Sequence, residues 1–147
     1  MLSWAATQAP LDLARLSLYG HSYGGLCALY ALVRYPGRFA HTICASPSLW
    51  WYDGHIETLL DTLPTAAATP VRLTLMAGTD ERWYARPADP THPRKPEDGI
   101  PTLPRLEALC ARLAGVPWLQ CALTRLEGAQ HGDALRTSAQ LAARLAA

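Results

Sequence analysis

An α/β fold is what this sequence predicts: a mostly parallel sheet of about four strands with helices on both faces. Three observations lead there. Strand-like and helix-like segments alternate along the chain. One strand-like segment runs into a Gly-x-Ser-x-Gly turn that opens a helix, Gly20-His21-Ser22-Tyr23-Gly24. Half of the 147 residues are hydrophobic, enough for the core of one ordinary domain.

Each element has its own warrant. Arg15-Leu16-Ser17-Leu18-Tyr19 alternates polar with apolar and stops at Gly20, so it reads as a strand. Leu26 to Tyr35 is apolar nearly all round and ends before Pro36-Gly37, as a buried helix does. His41 to Ala45 is a short strand entering the Ser46-Pro47 turn. Asp53 to Leu63 reads as a helix capped by Asp53 and broken by Pro64. Val71 to Ala77 is a strand ended by Gly78. Leu103 to Leu113 is an amphipathic helix stopped by Gly115 and Pro117. Trp118 to Leu126 is the last strand, and Asp133 to Leu145 the last helix. Residues 79–102 break the alternation. Pro87, Pro90, Pro93, Pro96 and Pro101 exclude a helix or a strand interior there, so this is a long loop.

Composition removes several function classes. Charged residues are 17% and the net charge is +1, which excludes a strongly basic nucleic-acid binder. No apolar run approaches the ~18 residues of a membrane span. Residues 1–20 contain Asp12 and Arg15 and lack the pattern of a secretory leader. The expected compartment is therefore the cytoplasm, or the periplasm if a leader was lost with the N-terminus. A single Lys against 12 Arg has the look of GC-rich bacterial coding. Cys27, Cys44, Cys110 and Cys121 form no CxxC pair and have no His at ligand spacing, so no zinc site is expected. They read as small buried hydrophobes.

The chemistry is expected at Ser22. A strand, a sharp turn and a helix are the setting in which Gly-x-Ser-x-Gly acts as a nucleophile elbow. Gly20 and Gly24 are expected to leave room for the turn, which lifts Ser22 above the carboxyl ends of the strands. A serine hydroxyl needs a base. His131 lies just past the final strand, where the chain order Ser, acid, His puts that base. His21, His41, His55 and His92 are placed elsewhere, in the elbow, a strand, a helix and the loop. The acid is expected after the strand at Val71, where Asp80 is preferred and Glu81 is the alternative. The backbone N–H of Tyr23 is one candidate oxyanion donor.

Three segments together carry a resemblance: Leu18 to Leu26 around the elbow, Ala45-Ser46-Pro47-Ser48-Leu49-Trp50-Trp51, and Gly128 to Gly132. They resemble the esterase D-type α/β-hydrolases, and within them the branch of bacterial siderophore esterases related to ferric enterobactin esterase. The resemblance extends from about residue 12 to the C-terminus. It implies hydrolysis of an ester, including a ferric siderophore as substrate, through an acyl-enzyme on Ser22 with His131 as base. No cofactor and no metal are expected. It also implies that Ser46 to Trp51 forms a wall of the site, so His21, Ser46, Ser48, Trp50 and Trp51 are the expected substrate-binding residues. Trp50 and Trp51 offer a platform for an aromatic acyl group such as a catechol, or else simply cover the sheet. Arg82, Arg86, Arg94 and Lys95 would attract an anion, but Asp80, Glu81, Asp89, Glu97 and Asp98 nearly cancel them.

The pattern departs from that family at its start. Only residues 1–14 precede the elbow strand, where the family carries further strands and the loop that gives a second oxyanion donor. The expectation is a single, N-terminally truncated domain over 1–147. Its strand at Leu16 to Tyr19 would be a bare apolar edge, inviting a second copy to pair there. Three functions are then in view. The first is a siderophore-type serine esterase. The second is a general short-chain carboxylesterase or a thioesterase like S-formylglutathione hydrolase. The third is a non-catalytic remnant or interaction module.

Overall fold

Four parallel strands lie side by side in the order in which they occur in the chain. This computed structural model describes residues 2–8, 10, 12–67, 69–84, 91, 95 and 98–146. The elements are α1 (Leu2–Gln8), β1 (Ser17–His21), α2 (Tyr23–Arg34), β2 (His41–Ala45), α3 (His55–Leu60), β3 (Val71–Gly78), β4 (Arg82–Trp83), β5 (Ile100–Pro101), α4 (Thr102–Leu113), β6 (Leu119–Leu126) and α5 (His131–Ala146). The main sheet has the order β1-β2-β3-β6, and β4 and β5 form a separate two-stranded antiparallel ladder.

Both faces of the sheet are covered, which explains the strand sequences. The central strands β2 and β3 are buried almost throughout, the polar His41, Thr42 and Thr74 included, and only Arg72 is exposed. Cys44, Leu73, Leu75 and Ala77 point to one face, where they meet Leu29 and Leu32 of α2 and Leu106, Leu109 and Leu113 of α4. Ile43, Ala45 and Met76 point to the other face and meet Ala134 and Ala142 of α5. Each fully buried leucine or isoleucine contributes about 1.5–3 kcal/mol. Among the described residues no helix is long and apolar enough to cross a membrane.

Several boundaries differ from the sequence reading. Gly20 lies inside β1 instead of ending it, because pairing with β2 continues to His21↔Ala45. Arg15 belongs to a short 3-10 turn whose cap is Asp12. Asp53 caps no helix. Tyr52, Asp53 and Gly54 all have positive φ (49°, 52° and 80°), so the chain reverses before α3 starts at His55, and α3 ends at Leu60, short of Pro64. The stretch 79–102 holds the β4–β5 ladder, with Pro101 opposite Arg82, so it is not wholly a loop. Of the residues noted there, Arg86, Pro87, Asp89, Pro90, His92, Pro93, Arg94, Pro96 and Glu97 lie outside the described ones.

Parallel register brings the carboxyl ends of all four strands to one edge of the sheet. The turns at Ser22, Ser46, Thr79–Glu81 and Glu127–Gln130 therefore converge there.

Candidate active site

Ser22 sits between β1 and α2 with φ 58° and ψ −119°, a conformation most side chains avoid. Three hydrogen bonds hold it there. Its N–H donates to the Ala45 carbonyl (2.9 Å), and its carbonyl accepts from the N–H groups of Leu26 (3.0 Å) and Ser48 (3.2 Å). The turn brings the backbone of Gly24 onto Gly20, where any Cβ would collide with the Gly24 carbonyl. The role expected of Gly24 falls instead to Gly25. A methyl group at Gly24 meets nothing within 4 Å, whereas one at Gly25 lies 3.1 Å from the Ala45 carbonyl and from Pro47.

His131 comes to Ser22 from the start of α5. The helix begins there, two residues before the expected Asp133, because Asp133 is not its cap. The Asp133 carboxylate reaches back to accept the N–H of Gln130 (3.2 Å), as a residue in the first turn does in a capping box. His131 Nε2 lies 3.1 Å from Ser22 Oγ, and its Nδ1 lies 3.0 Å from Oε1 of Glu81. Gly78 permits this approach: a Cβ there would strike the Ala129 carbonyl of the loop that carries His131.

Glu81, not the preferred Asp80, faces the imidazole. The N–H of Glu81 donates to the Gly78 carbonyl (3.3 Å), which closes a turn with Thr79 and Asp80 at its centre. Asp80 points outward to the cavity rim, while the Glu81 side chain folds inward and is 3% exposed. Ser46 Oγ donates to Oε2 of Glu81 at 2.5 Å. Burial pushes the Glu81 carboxyl up. The hydrogen bonds from His131 and Ser46 outweigh it and hold the group below its ordinary pKa. The hydrogen bond to Glu81 raises the His131 pKa against an opposing effect of desolvation. With His131 neutral, Nδ1–H donates to Glu81 and the Nε2 lone pair faces the Ser22 hydroxyl.

The remaining expected residues divide. Ser48 Oγ is 3.3 Å from Ser22 Oγ and is buried. Ser46 is also buried, and its hydroxyl serves Glu81. Tyr23 opens α2, so its N–H has no partner within the helix and points to the positive end of the helix dipole. Trp50 lines a cavity of about 860 Å³ that also holds Ser22, Glu81 and His131. Trp51 does not. With Tyr23, Leu26 and Ile56 it lines a separate apolar cavity of about 390 Å³. His21 is absent from both linings, and its ring lies against His131, centroids 4.7 Å apart.

Trp83 was not singled out from the sequence. It stacks on Trp50 (centroids 5.7 Å apart, planes 14° apart), while the Tyr23 ring meets Trp50 edge-on at 5.6 Å. Its only signal was position, two residues beyond Glu81. The cavity's cations are partly engaged: Arg105 makes a two-pronged ion pair with Glu57, and Arg82 donates to the Gly99 carbonyl.

The chain is similar to known proteins in sequence and in fold. A family model described as putative esterase matches residues 1–94. The siderophore triacetylfusarinine C esterase of Aspergillus fumigatus is 58% identical over 41 residues, 28% of this chain and 14% of that protein. The iron(III) enterobactin esterase of Dickeya dadantii is 45% identical over 85 residues, 56% of this chain and 20% of that protein. The structure of siderophore hydrolase EstB from Aspergillus nidulans superposes with a TM-score of 0.76 at 27% identity, covering 99% of this chain and 52% of that one. The chain thus spans about half of that structure, and the matches cover a fifth or less of the two curated relatives.

Proposed function

This chain belongs to the putative esterase family, and from that premise we propose that it is a serine esterase acting on siderophore-type esters. One observation carries the proposal: Ser22, His131 and Glu81 stand in a line of hydrogen bonds at the carboxyl edge of the sheet.

The reaction follows from that line. His131 Nε2 takes the Ser22 proton as Oγ attacks the ester carbonyl carbon. The tetrahedral oxyanion is stabilised by the N–H of Tyr23 at the start of α2. Collapse breaks the C–O bond, and the departing alkoxide takes the proton from His131, leaving an acyl-Ser22. Water, deprotonated by His131, attacks the acyl carbon; the C–Oγ bond then breaks, His131 returns the proton to Ser22 Oγ, and the carboxylic acid leaves. Glu81, kept ionised by its partners, holds Nδ1–H and stabilises the imidazolium in both halves.

The Trp50–Trp83 stack beside Ser22 supports an aromatic acyl or N-acyl group on the substrate. Incubation with ferric enterobactin, followed by mass spectrometry, tests the reading. Ring-opened ester products that vanish in Ser22→Ala support it. Turnover of short aliphatic or thiol esters alone would make the protein a general carboxylesterase or thioesterase. We also propose that the outer edge of β1, beside half-buried Leu18 and Tyr19, pairs with a second copy. A monodisperse monomer by light scattering would contradict that pairing.

A further inference from the structure

His21 is tied to the base at its backbone. It is the last residue of β1 and adjoins Ser22. Strand alternation puts it on the same face as Tyr19, whose hydroxyl meets Ser138 of α5 at 2.9 Å. On that face His21 Nε2 lies 3.0 Å from the His131 carbonyl oxygen. A carbonyl only accepts, so Nε2 carries the proton. The ring of His21 packs on the ring of His131 at an angle of 44°.

Glu81 alone leaves His131 incompletely fixed. It anchors Nδ1 and leaves the imidazole free to swing about that contact, and the side chain is 46% exposed. The residue is also the first of α5, where the helix has its fewest internal bonds. We propose that His21 is a positioning residue for His131: its Nε2–H grips the carbonyl of the base, and its ring backs the imidazole so that Nε2 of His131 stays over Ser22. The proposal rests on the reading of Ser22 and His131 as nucleophile and base. Because His21 is covalently next to Ser22, one side chain clamps nucleophile and base together across 110 residues of sequence.

A neutral donor is what this position needs. Lysine or arginine would set a permanent cation against an imidazole that must itself become charged. The titratable groups acting on His21 are His131 on α5 and Glu81 after β3. Burial, then the charge of His131, hold the His21 pKa below its ordinary value.

Two measurements test the clamp. Nitrogen-15 spectra of the histidine side chains should show His21 as the neutral Nε2–H tautomer while His131 titrates. An Nδ1–H tautomer, or protonation of His21 before His131, overturns the proposal whether or not the chain hydrolyses esters. Second-order inactivation by a fluorophosphonate then reads the positioning directly. His21→Phe and His21→Ala are expected to react about 10-fold to 100-fold more slowly, and His21→Gln, which restores an N–H donor, to recover most of the loss. If all three react like wild type, His21 positions nothing although the esterase reading stands. If wild type is as inert as Ser22→Ala, the esterase reading fails, and the tautomer still decides whether the contact exists.

Discussion

Nδ1 of His131 and Oε1 of Glu81 stand 3.0 Å apart, joined across 50 residues of sequence at the far side of the ring from Ser22. The pair has opposite consequences for its two members. The contact raises the pKa of the imidazole and lowers that of the carboxyl, so the charged form of each is favoured by the other. A base held in this way accepts the serine proton more readily, and the ring keeps the tautomer that attack requires.

Glu81→Gln should therefore cost activity by roughly 10⁴-fold, because the amide also stabilises the wrong tautomer. The pH dependence gives an independent check. Glu81 raises the His131 pKa, so in the wild type the base becomes neutral only as pH rises past that elevated value. Removing the charge moves the acid limb of kcat/KM to lower pH. Asp80→Asn, at the cavity rim, should change the rate by no more than about threefold. A large loss in Asp80→Asn with little in Glu81→Gln would reverse the assignment.

The contrast between Asp80 and Glu81 shows where the sequence stops being readable. The elbow was legible because Gly20 has one steric use there, and His131 was legible from its place after the last strand. The acid depended on which residue of a turn points inward, and the Gly78–Glu81 hydrogen bond decides that. Trp51 adjoins Trp50 yet lines the other cavity, and the left-handed residues Tyr52, Asp53 and Gly54 that follow it are announced by no propensity of tyrosine. His21 was readable in principle. It is two residues from Tyr19 in one strand, so both must face α5.

The glycines of the elbow should separate sharply. Gly20→Ala forces a methyl group into the Gly24 carbonyl, and overpacking against backbone costs about 3 kcal/mol or more. For a chain of this size that is a fall of about 6 to 12 °C in Tm. Gly24→Ala enters open space within α2 and should leave Tm unchanged or raise stability by about 0.5 to 1 kcal/mol. Calorimetry of the two variants checks the difference. Equal destabilisation would mean that the turn is built differently.

Substrate preference should follow the stacked tryptophans. Trp50→Ala and Trp83→Ala are each expected to lower the rate ratio of aromatic to short aliphatic acyl esters about twofold to tenfold, from ~0.5 to 1.5 kcal/mol of ring contact. Trp51→Ala should leave that ratio unchanged, since Trp51 lines the other cavity. If both esters slow equally in Trp50→Ala and Trp83→Ala, the stack supports the wall without selecting substrate.

The central claim is that Ser22 is a nucleophile activated by His131. Intact-mass spectrometry after exposure to a fluorophosphonate tests it most directly. We predict a single adduct, mapped by peptide sequencing to Ser22, absent in Ser22→Ala and formed at least about 10²-fold more slowly in His131→Ala. An unlabelled wild type, or an adduct that persists in Ser22→Ala, would contradict the account.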